Sequence, residues 1–215
     1  MRHFPLLLLL ATGQAVGGWL NVTESRDLTL DGAGIERLEI RSGHGFVVVT
    51  GEPDHGQITV QADIRIPVAS EEKADAIRAE HLDLSLTADG GTARLVGDFG
   101  DYVAWRGDGP RVMLTVQVPA GVDVVINDGT GYIEVSNLDG DLEIDDGSGS
   151  IDLENISGSV KIRDGSGWID VDQVDANVVI EDRSGAISVS RVGADVVIDD
   201  GSGRVNVRDV SGDLT

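Results

Sequence analysis

The sequence predicts an all-β fold, a parallel β-solenoid of eighteen-residue coils in which each coil consists of two nine-residue halves. Three observations predict it. A Ser-Gly or Thr-Gly pair recurs every eighteen residues, two alternating apolar residues follow each glycine, and a second alternating apolar pair closes each unit. Each half reads as a short strand and a corner, so equivalent strands would stack about 4.8 Å apart. We therefore expect the apolar side chains to form continuous inward columns.

Composition limits both the core and the partners of the chain. Of the 215 residues, 40% are hydrophobic but only 4% are aromatic, so the core must consist mainly of valine, isoleucine and leucine. The formal net charge of −22 would repel nucleic acid and anionic lipid surfaces, which excludes nucleic-acid binding as a main role. The chain has no cysteine, so we expect neither a disulfide nor a lipoprotein anchor.

Residues 1–17 have the pattern of a secretory signal peptide. Arg2 and His3 form a short basic start, residues 4–11 form an apolar stretch, and Ala15 and Gly17 provide the small residues of a cleavage site. The apolar stretch is too short to span a membrane, and no later segment reaches that length. The sequence thus predicts export to the periplasm or the extracellular space.

Residues 18–126 are predicted to contain a first coil and a β-rich insertion that caps one end of the solenoid. The first coil is LEIRSGHGFVVVTG, residues 38–51, which has the paired apolar residues, a Ser-Gly corner and a second alternation. Strands are expected in the insertion at 57–66, 94–96 and 112–118. One short helix is expected near 70–82, with Ser70 as its N-cap and two glutamates in its first turn.

Residues 127–215 are predicted to form the repetitive β-solenoid. One glycine of each corner never varies, and we expect it to adopt a conformation with positive φ that favours glycine. These structural-turn glycines are Gly131, Gly149, Gly167, Gly185 and Gly203. The other corner has alanine instead of glycine in two units, so we expect it to need only a small residue. No proline follows Pro119, as expected where every backbone N–H joins a ladder.

The order of these segments resembles a known family. The leader has the pattern of a signal peptide. Residues 28–215 then contain, in order, LEIRSGHGFVVVTG, a short Glu/Ala-rich helix, VMLTVQVPAGVDVVI and coils with Ser-Gly-x-Ile. This order is similar to the adhesin-like family of bacterial cell-envelope proteins, a β-solenoid domain of unknown function. The resemblance implies a right-handed solenoid, as does the rule for parallel crossovers. That family has no agreed catalytic residues, so the resemblance implies none in this chain.

An aspartate stands three residues before each structural-turn glycine. The series is Asp128, Asp146, Asp164, Asp182 and Asp200. Two roles are open for it: each carboxylate accepts hydrogen bonds from its own turn, or the series forms a weak calcium ladder along the surface. Where nonapeptide β-rolls place their calcium-binding aspartate, this chain has isoleucine or valine, and one aspartate per coil supplies few of the six to eight oxygens that calcium needs. The turn role is therefore favoured.

Two aromatic residues are the other candidates for a site. Tyr132 and Trp168 each follow a corner glycine, two coils apart, and by alternation they should point outward. An exposed ring beside an acidic, flat ladder can stack on a sugar or contact a partner protein; alternatively it covers the corner glycine. Catalysis is not expected, because residues 127–215 contain no histidine or cysteine and a single lysine, Lys161.

These observations predict a non-enzymatic structural or interaction protein of the bacterial envelope, adhesin-like, with an envelope or surface protein or polysaccharide as its partner. The alternative is a carbohydrate- or calcium-binding surface module that uses the outward acidic face, with Tyr132 and Trp168 as ligand contacts. We expect no cofactor apart from that weakly bound calcium. An end-to-end homodimer is also predicted, because an open solenoid end is an exposed sheet edge.

Overall fold

The structure is a computed structural model that describes residues 9–10, 15–16, 19–102 and 109–215, with side chains from residue 20 onward. Most of the predicted signal peptide lies outside the described residues. Its described parts, Leu9–Leu10 and Ala15–Val16, pair antiparallel with the strand Trp19–Asp31.

The described residues form mainly β-strands, which turns and short loops connect, and one helix lies before the repeats. The elements before the repeats are β1 (Leu9–Leu10), β2 (Ala15–Val16), β3 (Trp19–Asp31), β4 (Arg37–Ser42), β5 (His44–Glu52), β6 (Gln57–Val68), α1 (Glu71–His81), β7 (Asp83–Asp89), β8 (Thr92–Asp98) and β9 (Arg111–Pro119). The strands of the repeats are β10 (Asp123–Asp128), β11 (Thr130–Leu138), β12 (Leu142–Asp146), β13 (Gly149–Ile156), β14 (Val160–Asp164), β15 (Gly167–Val174), β16 (Val178–Asp182), β17 (Gly185–Val192), β18 (Val196–Asp200) and β19 (Gly203–Val210). The prediction of an all-β chain with one short helix is confirmed.

The strands form two sheets, and the repeats pair in parallel within each. Sheet A has the order β1-β3-β6-β9-β5-β11-β13-β15-β17-β19, with β2 also paired to β3. Sheet B has the order β18-β16-β14-β12-β10-β4-β8-β7. Each repeat contributes one strand to each sheet, so the chain alternates between them, and the buried aliphatic side chains of both sheets form one hydrophobic cluster.

Strands eighteen residues apart in sequence are neighbours, with equivalent residues side by side. In sheet A, Ile151 lies between Ile133 and Ile169, and in sheet B, Ile144 lies beside Ile162. All five are fully buried. Burial of one such side chain stabilises a fold by about 1.5–3 kcal/mol relative to its exposure. These stacked columns are the physical reason that a chain without cysteine can hold its repeats together.

The strands of the insertion pair with β4 and β5 at the edges opposite to those that pair with the repeats. β8 pairs in parallel with β4, and β9 pairs in parallel with β5, whose other neighbours are β10 and β11. β6 then pairs antiparallel with β9, β3 with β6, and β7 with β8. The order of the strand pairs in space therefore differs from their order in the sequence.

The helix α1 begins at the cap that the sequence predicts. The Ser70 side chain accepts a hydrogen bond from the Lys73 N–H, and Glu71 and Glu72 lie in the first turn, where the helix dipole favours negative charge. Arg78 in the last turn lies 2.8 Å from a Glu24 carboxylate oxygen, which ties the helix to β3.

Two local features of the repeat differ from expectation. The two strands of a repeat differ in length, since the sheet B strand β12 has five residues and the sheet A strand β13 has eight. In addition, a second residue with positive φ directly precedes the last residue of each sheet A strand of the repeats. These residues are Asn137 (φ 58°), Asn155 (59°), Gln173 (59°), Arg191 (56°) and Asp209 (56°). Asparagine and aspartate tolerate this region, but glutamine and arginine share the position, so the sequence pattern did not reveal it.

The last repeat exposes apolar side chains that are buried in the repeats before it. Val205 of β19 is 44% exposed, whereas the equivalent Ile187 of β17 is 2% exposed. Val196 of β18 stays buried, since Leu214 forms a parallel bridge to it. β19 is the outermost strand of sheet A, and among the described residues no strand pairs with its outer edge.

Candidate functional site

The DGSG motif, or its variants DGTG at 128–131 and DRSG at 182–185, forms the corner between each sheet B strand of the repeats and the following sheet A strand. Gly149 and Gly167 have φ of 151° and 154°, a region that other residues rarely adopt. A Cβ atom on Gly167 would lie 1.7 Å from the Gly149 carbonyl oxygen of the preceding repeat. The same combination holds along the series, at Gly131, Gly149, Gly167, Gly185 and Gly203. Glycine is thus required both by backbone conformation and by the close approach of neighbouring repeats.

The aspartate row, defined as Asp128, Asp146, Asp164, Asp182 and Asp200, is mostly buried and does not form a ladder along the surface. Its first four members are at most 8% exposed. The reason is the alternation of the sheet B strand: in β12, Leu142 and Ile144 point inward, Asp145 points outward, and Asp146 points inward again. The row therefore lies on the inner side of the corners, at the edge of the hydrophobic core.

Carboxylates of the aspartate row accept hydrogen bonds within their own turns at Asp164, Asp182 and Asp200. An Asp164 oxygen accepts the Ser166 N–H at 3.2 Å, and Asp182 accepts the Ser184 N–H at 3.1 Å. The second oxygens have no hydrogen-bond partner within the described residues, although they are buried. These atoms are Asp146 Oδ1, Asp164 Oδ2, Asp182 Oδ2 and both oxygens of Asp128. The aspartate row therefore stabilises the turns, and the burial of its unpartnered carboxylate oxygens costs desolvation free energy.

Burial changes the protonation of the row. Burial, followed by the charges of the neighbouring Asp128 and Asp164 carboxylates, raises the pKa of Asp146 to about 7, against the opposing effect of the turn N–H groups. Burial also raises the pKa of Asp128, Asp164 and Asp182. Equivalent strands stack about 4.8 Å apart, so charged neighbours in this row repel one another with little water between them.

The geometry of the row offers few ligands to a metal ion. In the described part of the chain, no group of three or more histidine, cysteine, aspartate or glutamate side chains is placed to hold one. A groove runs along these corners, and Arg163 and Arg183 line it together with Asp146, Asp164 and Asp182. Calcium binding by the row stays a prediction, which sedimentation with cell envelopes in calcium or in a chelator tests.

The second candidate site is the outer face of sheet A. Tyr132 and Trp168 lie in one cross-strand row of this face, and the register adds an aromatic residue that the repeat pattern did not reveal, Phe46 of β5. We call Phe46, Tyr132 and Trp168 the aromatic row. Phe46 is 39% and Trp168 is 47% exposed, although both are large and apolar. Phe46 and Tyr132 are on adjacent strands, and Trp168 lies two strands beyond Tyr132, about 10 Å away.

Three carboxylates run beside the aromatic row, one on each of three adjacent strands. Glu134, Asp152 and Asp170 share one register position, and we call them the carboxylate row. The Tyr132 hydroxyl donates a hydrogen bond to Glu134 at 3.0 Å and lies 3.4 Å from an Asp152 oxygen. Partial burial, followed by hydrogen bonding and charge from these carboxylates, raises the pKa of Tyr132 to about 12. Burial and the charges of Asp170 and Glu134 raise the pKa of Asp152.

Comparison with known proteins shows the fold. No protein-family model and no curated protein matches the chain. A crystal structure from Clostridium sporogenes ATCC 15579, provisionally named a cell adhesion protein, matches with a TM-score of 0.51 and 12% sequence identity. The match covers 90% of this chain and 100% of the other. This likeness in fold agrees with the resemblance of the sequence to adhesin-like envelope proteins.

Two further solved structures match over similar lengths but with low TM-scores. A Bacteroides fragilis NCTC 9343 protein, provisionally named an adhesin, has a TM-score of 0.31 and 15% identity over 89% of this chain and 95% of its own. A Parabacteroides distasonis ATCC 8503 protein, provisionally named a lipid-binding protein, has a TM-score of 0.30 and 14% identity over 90% and 96%. Within the described residues, no helix is long and apolar enough to cross a membrane.

Proposed function

We propose that the chain is a non-enzymatic, adhesin-like interaction protein of the bacterial cell envelope, and that the outer face of sheet A is its contact surface. The aromatic row carries the proposal. Two large apolar side chains, Phe46 and Trp168, are exposed on one flat face, in one row with Tyr132. Exposed aromatic rings on a regular sheet are typical of contact surfaces, since they bury a large area at little cost in side-chain entropy. The name of the Clostridium sporogenes protein with the same fold supports the same role.

The proposal includes the architecture and the location of the chain. The two sheets form a right-handed β-solenoid with eighteen-residue coils, and residues 1–17 direct export to the periplasm or the extracellular space. The eighteen-residue register of both sheets supports the coil length. The preference of parallel crossovers for one hand supports the handedness.

Replacing Trp168 with alanine should weaken binding to cell envelopes if this face is the contact surface. The measurement is co-sedimentation of the purified chain with isolated envelopes, with calcium or with a chelator. We expect saturable pelleting of the wild type and at least about a fivefold loss of affinity for W168A, a typical effect for an aromatic side chain at the centre of a contact. Val197→Ala is the matched control, because Val197 is 43% exposed on the other sheet.

The other outcomes separate the alternatives. Pelleting that depends on calcium and is lost in Asp164→Asn would assign calcium to the aspartate row. Pelleting that free oligosaccharide prevents would favour the carbohydrate-binding module. Equal pelleting of W168A and the wild type would contradict the proposed surface.

End-to-end pairing of two copies is a separate proposal about the last repeat. The exposed Val205 and the unpaired outer edge of β19 support it, because an open apolar edge can pair with another strand. We expect light scattering to show a dimer that Val205→Lys converts to a monomer. A monomeric wild type throughout the micromolar range would contradict the proposal.

A further inference from the structure

We propose that the outer face of sheet A binds a cationic partner, a segment that carries lysine or arginine side chains, with its charges on the carboxylate row and its stems against the aromatic row. This inference rests on the proposed function and names the chemistry of the partner. It follows from the charge pattern of the two outer faces and from the position of the aromatic rings.

The carboxylate row has no basic partner within the described residues. None of the ion pairs formed there includes Glu134, Asp152 or Asp170. The three side chains are half-buried and occupy the same register position on adjacent strands, about 4.8 Å apart. Like charges at this spacing destabilise a sheet. A bound cation would remove that repulsion.

The outer face of sheet B shows the contrasting pattern. There, Arg163 of β14 lies 3.3 Å from both Glu143 of β12 and Glu181 of β16, so one arginine joins three adjacent strands. Arg94 of β8 pairs with Glu39 of β4 at 3.0 Å in the same way. Cross-strand ion pairs also occur on the outer face of sheet A, where Arg191 pairs with Asp172, but none of the ion pairs among the described residues reaches the carboxylate row.

The aromatic row adds a feature that favours a cation with an apolar stem. Trp168 is directly adjacent in sequence to Ile169, and the next outward residue of the strand is Asp170, so an exposed indole stands beside an unpaired carboxylate. The faces of indole and phenol rings attract lysine and arginine side chains, and tryptophan does so best. Charge complementarity thus favours a basic segment over a neutral glycan.

The Tyr132 hydroxyl positions one end of this surface. It donates a hydrogen bond to Glu134, and the Asp152 carboxylate lies within 3.4 Å of it. These contacts therefore keep the Glu134 and Asp152 carboxylates close to the Tyr132 hydroxyl. Asp170 has no such contact with Tyr132, and it remains available beside Trp168.

The test is calorimetric titration of the full chain with a lysine octamer. An octamer of acetyl-lysine, which keeps the length and the stems but has no charge, is the ligand control. Asp152→Asn combined with Asp170→Asn removes two charges from the proposed surface. Asp145→Asn combined with Asp199→Asn removes two charges from exposed positions on the outer face of sheet B and keeps the net charge matched.

We expect the wild type to bind the lysine octamer and not the acetylated one, and we expect D152N/D170N to weaken binding about tenfold. W168A should weaken it about three- to fivefold through loss of the cation–π contact, and D145N/D199N should stay within about twofold. Equal losses in the two double variants would overturn the inference, because the octamer would then respond only to net charge. Binding of cello-oligosaccharide, dependent on Trp168, without binding of the lysine octamer would overturn it in favour of a neutral glycan.

The outcomes separate this inference from the proposed function. Envelope pelleting that is lost in W168A but unaffected by the lysine octamer and by D152N/D170N would contradict the cationic partner and leave the contact surface in place. Specific binding of the octamer to the outer face of sheet A without envelope pelleting would contradict the envelope role and leave the cationic surface in place.

Discussion

Replacing Gly167 with alanine should destabilise the protein by at least about 3 kcal/mol, enough to unfold a domain of ordinary stability in part. The new Cβ would lie 1.7 Å from the Gly149 carbonyl oxygen, which belongs to the backbone and cannot turn away. The residue also has φ of 154°, a conformation that costs a side chain of the order of 1–3 kcal/mol. Both effects act in the middle of the stack, so relief would require neighbouring repeats to separate.

Gly121→Ala is the matched control for this prediction. Gly121 lies in the connection between β9 and β10, and a Cβ there would meet no atom within 4 Å. We expect the two variants to differ clearly in the urea concentration at the midpoint of unfolding. A Gly167→Ala variant whose free energy of unfolding lies within about 1 kcal/mol of the control would contradict the close packing of the corners.

The second large effect is an unusual dependence of stability on pH. Because the pKa of Asp146 is raised to about 7 in the folded chain, the folded state binds more protons than the unfolded state between about pH 4 and pH 7. The free energy of unfolding should therefore decrease as the pH rises through this range. The raised pKa values of Asp128, Asp164 and Asp182 act in the same direction.

Asp146→Asn tests the origin of this dependence. Asparagine keeps an oxygen for the turn and cannot ionise, so we expect the variant to be more stable than the wild type, and this difference should be larger at pH 8 than at pH 5 by about 2 kcal/mol. The measurement is urea unfolding at both pH values. Asp145→Asn, at the exposed neighbouring position, should change stability by less than about 0.5 kcal/mol at either pH. A wild type that gains stability from pH 5 to pH 8 would contradict a desolvated aspartate row.

The two candidate sites differ in how far the sequence could predict them. Tyr132 and Trp168 share a register within the repeats, so alternation alone predicts their common outward row. Phe46 lies before the insertion, and its place in the row depends on β5 pairing with β11 across about eighty residues of intervening sequence. The alternation of β12 points Asp146 inward, but only the tertiary structure shows that the neighbouring repeats bury its carboxylate at the edge of the core.

The sequence by itself determined the periodic part of this protein. A two-residue alternation and an eighteen-residue period are local properties, and together they specify which residues face the core, which strands are equivalent and where glycine is required. Only the tertiary structure decided the rest. Contacts between segments far apart in sequence place β8 and β9 beside β4 and β5, add Phe46 to the aromatic row and desolvate the aspartate row. No local pattern encodes which strand edge a distant segment will pair with.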